Sequence, residues 1–145
     1  MVAILGPTGS GKTGLALDIA QLFDGEVVGC DSVQIYRHFN LGTAKTPLSE
    51  RRGIPHHLID AVDPDRLFTA GEYAREGRAA LAGITSRGKL PVVVGGTGFY
   101  LGRYWRACFQ DRYAIKTCGS ALRESRHGAP VFCIAFWEDW TNRPP

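Results

Sequence analysis

Eight residues near the amino terminus, Gly6-Pro7-Thr8-Gly9-Ser10-Gly11-Lys12-Thr13, carry the spacing of a P-loop. The chemistry this spacing supports is phosphate binding. Successive backbone N–H groups converge on phosphate oxygens, and the positive end of the helix that follows adds to them. Glycines at 6, 9 and 11 let the backbone approach closely and take positive φ. Lys12 neutralises an outer phosphate, and the Thr13 hydroxyl is placed to ligate Mg²⁺. Average amino-acid usage yields the pattern by chance in roughly 0.5% of chains this long, so a merely Gly-rich turn is the weaker reading.

Two further segments bring reactive groups toward the same place. Asp31 opens Asp31-Ser32-Val33-Gln34-Ile35-Tyr36 at the end of an apolar run. An aspartate there serves as a Mg²⁺ or water ligand, as a general base on an incoming nucleophile, or simply as a turn or helix cap. Gly95-Gly96-Thr97-Gly98-Phe99-Tyr100 offers the Thr97 hydroxyl and free backbone donors, a weak signal alone because such turns are common in α/β folds. His56 and His57 read as structural rather than catalytic.

These groups need a scaffold that gathers them at one edge. Val2 to Leu5 is a short apolar run ended by glycine, the pattern of a buried parallel strand. Gly11 to Leu22 follows as a helix with Leu15, Ala16, Ile19, Ala20 and Leu22 on one face. Glu26 to Cys30 predicts a second strand and His57 to Ile59 a short third one. Phe68 to Ser86 predicts a long helix with Tyr73, Ala80, Leu81 and Ile84 toward the core, and Gly88 beyond its end. Leu90 to Val94 predicts another strand, which Gly95 to Gly98 turns into a further helix. Strands alternating with helices predict an α/β fold, a P-loop NTPase-like parallel sheet with flanking helices. Ligands of such sheets bind beyond the carboxyl ends of the strands, where the P-loop, Asp31 and Thr97 all fall. Between Arg37 and Arg66 the chain is loop-rich, and Lys45, Arg51, Arg52, His56 and His57 either face an anionic partner or belong to an ordinary solvated excursion.

Composition bounds the rest. With 145 residues, 44% of them apolar, the chain has material for one globular domain. No apolar run approaches a membrane span, and the start lacks the basic and long apolar regions of a signal peptide. The expectation is a cytoplasmic protein without membrane contact. A net charge of +3 permits nucleic-acid contact without arguing for it. Cys30, Cys108, Cys118 and Cys133 show no zinc or CxxC spacing and are expected as free thiols. Three of the four, and all three tryptophans (Trp105, Trp137, Trp140), follow Leu101, a break in composition that requires a cause.

The ordered set Gly6 to Thr13, Asp31 to Tyr36, Gly42-Thr43-Ala44-Lys45, His56-His57-Leu58-Ile59-Asp60, Phe68 to Tyr73 and Gly95 to Tyr100 resembles the amino-terminal half of the tRNA dimethylallyltransferase family, over residues 1 to about 101. The resemblance implies that dimethylallyl diphosphate lies with its diphosphate on Gly6, Pro7, Thr8, Gly9, Ser10, Gly11, Lys12 and Thr13. The N6 amine of an anticodon-adjacent adenine in tRNA then attacks the allylic carbon, and diphosphate departs. It further implies Asp31 as general base, Thr97 beside the reacting groups, and Asp31, Ser32, Val33, Gln34 and Thr97 as contacts to tRNA. Mg²⁺ on Thr13 and a monomeric state are implied as well.

After Leu101 that resemblance stops. In the frame read from each codon's third base, Tyr104-Trp105, Phe132-Cys133, Phe136-Trp137 and Asp139-Trp140 each force a leucine codon, and the family continues with leucine-rich sequence. The expectation is therefore a core over 1–101, incomplete as a sheet, and an atypical tail over 102–145 read out of frame. At face value, Val131 to Phe136 has the pattern of a buried strand. Two other readings stand beside the transferase: a small-molecule kinase with ATP in the loop, and a non-catalytic phosphate-binding fragment.

Overall fold

A computed structural model describes residues 1–96 together with two further strands, 113–117 and 133–139. The first strand is β1 (Val2–Leu5), every residue of which is buried. It runs through the P-loop into α1 (Lys12–Leu22), and then β2 (Gly25–Cys30) and β3 (His56–His57) follow. Next come α2 (Ala70–Ser86), β4 (Leu90–Gly95), β5 (Tyr113–Thr117) and β6 (Cys133–Asp139). The sheet order is β3-β2-β4-β1-β6-β5. The first four strands are mutually parallel, with β4 between β1 and β2. Such a sheet needs cover on both faces. The α1 face buries Val2, Ile4, Ala16, Ala20, Val27 and Val92. The opposite face buries Ala3, Val28, Cys30, Ile35, Tyr73, Ala74, Leu81, Ile84 and Val93 around α2.

The parallel arrangement expected from the alternation of elements is present, and details of its bounds differ for identifiable reasons. β3 ends at His57 rather than Ile59, because Leu58 takes a left-handed φ of 57° that a strand cannot continue. α2 starts at Ala70, where Thr69 is extended and closes a reciprocal capping box with Glu72. In α1 it is Leu17 that is buried, whereas Leu22 is 77% exposed at the helix end. Ala80 is only half-buried, and Ala74 and Gly77 take the places under α2. The tail contributes strands: β6 pairs antiparallel with β1, and β5 with β6. The strand expected near Val131 to Phe136 is displaced to Cys133–Asp139. The helix expected after Gly98, Thr97 itself, Cys108, Cys118 and two of the tryptophans lie outside the described residues. Cys30 is a buried free thiol, and among the described residues no helix is long and apolar enough to cross a membrane.

Candidate active site

Parallel strands deliver their carboxyl ends to one edge, and there the chain forms a cavity of about 430 Å³. Thr8, Gly9, Gly11, Lys12 and Thr13 line one side of it, while Asp31, Val33 and Gln34 line another. Residues far apart in sequence thus meet as the motifs require.

The P-loop owes its shape to three glycines acting in two ways. Gly9 (φ 82°) and Gly11 (φ 81°) hold left-handed backbone, with Gly11 the N-cap of α1. Gly6, expected to do the same, does not take positive φ. Its role is space: a Cβ there would stand 2.9 Å from Ser10 Oγ. Ser10 is fully buried and its hydroxyl has no hydrogen-bond partner among the described residues. Gly6, Pro7 and Ser10 therefore build the loop rather than line the cavity. α1 has no side-chain cap, so its first N–H groups remain available to an anion. Lys12 Nζ donates to the Pro7 carbonyl across the loop. Burial lowers the Lys12 pKa, and the nearby Asp31 charge opposes that shift. A phosphate on the loop would oppose it further.

Asp31 follows the last residue of β2. Its Oδ1 accepts from the Val33 N–H (2.8 Å) and the Gln34 N–H (3.2 Å), the geometry of an aspartate turn. Its other oxygen takes no hydrogen bond among the described residues, and the side chain lines the cavity. The cap reading and the reactive reading are thus compatible, one oxygen for each. Gln34 donates from Nε2 to the carbonyls of Thr43 (3.0 Å) and Ala44 (3.3 Å), spending its donors on two other residues of the cavity wall. Ser32 does not line the main cavity. It borders a smaller one of about 60 Å³ with Asp31, Tyr36 and Tyr73. The position expected for Thr97 is outside the described residues.

The basic excursion turns inward. Lys45 pairs with Asp60 at 2.8 Å, Arg51 with Asp60 at 3.1 Å, and Arg52 with Asp18 at 2.7 Å. His57 Nε2 lies 2.6 Å from Glu26 Oε2, beside the Arg87–Glu26 pair at 2.8 Å. Burial pushes the Glu26 carboxyl up, but hydrogen bonds from Arg87 and His57 outweigh it and leave the pKa below the ordinary range. His56 lines the cavity, with Nδ1 bonded to the Ile54 carbonyl at 2.7 Å and its pKa lowered chiefly by burial. These cations close the fold on itself. Sequence reasoning missed the pairings because each joins residues nine to 61 positions apart.

Strand, Gly-rich loop, helix and an aspartate at the next strand end together define an α/β protein of P-loop NTPase-like fold with a cavity at the carboxyl edge of its sheet. Comparison with known proteins narrows the class. Residues 34–128 match the family model described as IPP transferase. The chain belongs to the IPP transferase family.

It is 67% identical over 101 residues to a tRNA dimethylallyltransferase of Solibacter usitatus, covering 70% of this chain and 33% of that protein. A tRNA dimethylallyltransferase of Koribacter versatilis is 51% identical over 124 residues, covering 86% and 39%. Among solved structures, a tRNA delta(2)-isopentenylpyrophosphate transferase of Staphylococcus epidermidis superposes with a TM-score of 0.65 at 44% identity, over 68% of this chain and 33% of that one. A eukaryotic dimethylallyltransferase acting on tRNA gives 0.68 at 41%, over 76% and 26%. The chain spans about a third of the length of these relatives, and the family match runs past Leu101.

Proposed function

We propose that this chain carries the diphosphate-binding and acceptor-activating part of a tRNA dimethylallyltransferase. The observation that carries the reading is one cavity in which the free N-terminus of α1 and Lys12 face Asp31. The diphosphate of dimethylallyl diphosphate occupies the P-loop, on the N–H groups from Gly9 onward and on Lys12. The adenine N6 nitrogen of tRNA forms a bond to the allylic carbon while the carbon–oxygen bond to diphosphate breaks. The free oxygen of Asp31 takes the amine proton. Charge then builds on the departing diphosphate, and Lys12 and the helix N-terminus stabilise it where it develops. The Thr13 hydroxyl lines the same cavity and suits Mg²⁺, which needs only one or two protein oxygens alongside phosphate and water. Bound there, the ion would neutralise part of the leaving-group charge.

Val33 and Gln34 border the cavity where the acceptor base would enter. Thr97, two positions beyond the end of β4, completes the proposed set. For residues 102–145 we propose an out-of-frame origin, resting on the forced leucine codons and the clustering of cysteine and tryptophan, against a family match that runs to residue 128. Sequencing the gene across the codon for Leu101 tests it directly. In an enzyme with the family's frame restored, Asp31→Asn is expected to keep diphosphate affinity and to lose most transfer of labelled dimethylallyl groups to tRNA. Parental turnover in that variant would remove Asp31 from the role of base. A 145-residue polypeptide of this sequence is expected to bind diphosphate weakly and to transfer nothing, since it spans about a third of its relatives' length.

A further inference from the structure

Segment 42–46 forms part of the cavity wall: Gly42, Thr43, Ala44 and Thr46 line the space and Lys45 does not. That segment is conformationally costly. Gly42 sits at φ 71° and Ala44 at φ 52°, and a left-handed non-glycine persists only where its surroundings over-determine it. The surroundings are two ties on either side of Ala44. Gln34 Nε2 holds the carbonyls of Thr43 and Ala44. Lys45, with a side chain only 3% exposed, donates to the Tyr36 carbonyl at 2.7 Å, Asp60 Oδ1 at 2.8 Å and Asn40 Oδ1 at 3.4 Å. All three ammonium donors are spent. Asp60 is itself fixed: its N–H donates to the Gln34 carbonyl, and Arg51 holds its other oxygen. A buried lysine thus locks the Asp31-to-Tyr36 turn, the cavity wall and Asp60 into one unit, although it touches no ligand space.

We propose that Lys45 is a positioning residue. Through Tyr36 and Asp60 it sets the wall that meets the organic group of a diphosphate ligand, and so decides which diphosphates bind well. The proposal rests on the diphosphate reading of the site. Phosphate groups belong to the P-loop, so loss of the lock should spare them and cost only the contacts of the remainder of the ligand.

The test uses the 145-residue chain with Lys45→Met, which keeps the volume and removes the charge, and Lys45→Arg, which keeps the charge but not the fit. Asp60 retains Arg51 in both, so neither leaves a carboxylate unpaired. Inorganic pyrophosphate and dimethylallyl diphosphate are titrated by calorimetry, and amide exchange is followed over residues 42–46. Lys45→Met is expected to bind pyrophosphate within about twofold of the parent. It is expected to lose about tenfold of the preference for dimethylallyl diphosphate and to exchange the 42–46 amides at least about tenfold faster, the order of losing hydrogen bonds to a charged group. Lys45→Arg should fall between the two. Retained preference, unchanged exchange, or equal loss of both ligands each overturns the proposal, the last because it marks general destabilisation. If the parent shows no preference for dimethylallyl diphosphate, the functional reading fails instead, and the exchange data alone decide whether Lys45 is the lock.

Discussion

Replacing Gly95 by alanine tests how the sheet positions the site. Gly95 ends β4, paired with Leu5 of β1 and Cys30 of β2. It has no positive φ to relieve, so the effect is steric alone. An added Cβ would lie 2.6 Å from the Cys30 carbonyl oxygen and 2.8 Å from Cys30 Cβ. A carbon–oxygen contact settles near 3.3 Å, so the strands must part by roughly 0.7 Å. Neither neighbour is the end of a flexible side chain. Overpacking of this kind costs about 1–3 kcal/mol, and the rigid partners place it near 3. For a domain of this size that lowers Tm by roughly 6–12 °C.

Gly71→Ala is the matched control. Gly71 lies in α2 with open space around its missing Cβ, and alanine there is expected to stabilise by up to about 1 kcal/mol. Urea unfolding of both variants supplies the comparison. Because Cys30 directly precedes Asp31, Gly95→Ala in a frame-restored enzyme should also lose transfer activity beyond its loss of stability. Two alanine variants of equal stability would refute the packing argument.

Three further outcomes follow from the same geometry. Glu26→Gln should destabilise by about 1–3 kcal/mol at neutral pH, since a buried carboxylate holding Arg87 and His57 is lost. The folded Glu26 pKa is lowered, so its contribution is present above the unfolded value of about 4.3 and lost as pH falls through the folded one. The gap between parent and variant in urea melts should therefore close below about pH 4, and a pH-independent gap would contradict the linkage. Lys12→Ala should weaken pyrophosphate binding by about 1.5–3 kcal/mol in calorimetry, and equal affinities would remove the site assignment. Thr69→Ala should cost α2 about 1 kcal/mol through loss of the capping box, seen as faster amide exchange in its first turn.

What was legible in the sequence was local. β1, the P-loop and α1 announce themselves in one continuous stretch, and the periodicity of α2 marks its body, though not the Thr69–Glu72 capping box that sets its start. Asp31 was legible because a strand end fixes where its side chain emerges. The fate of the basic cluster was not. Lys45, Arg51 and Arg52 look alike in a chain read one residue at a time, and only the tertiary fold gives Lys45 and Arg51 to the two oxygens of Asp60 and Arg52 to Asp18. Gly6 misled for a related reason: a glycine needed for space and one needed for backbone freedom are the same letter.

The central claim is that this cavity selects an allylic diphosphate rather than a nucleotide. Calorimetric titration of the 145-residue chain with dimethylallyl diphosphate and with ATP, each in Mg²⁺, tests it most directly. The expected result is one site for dimethylallyl diphosphate that pyrophosphate competes for and Lys12→Ala weakens, with ATP binding more weakly. Tight ATP binding, with dimethylallyl diphosphate no better than inorganic phosphate, would contradict the account and favour a phosphoryl-transfer site.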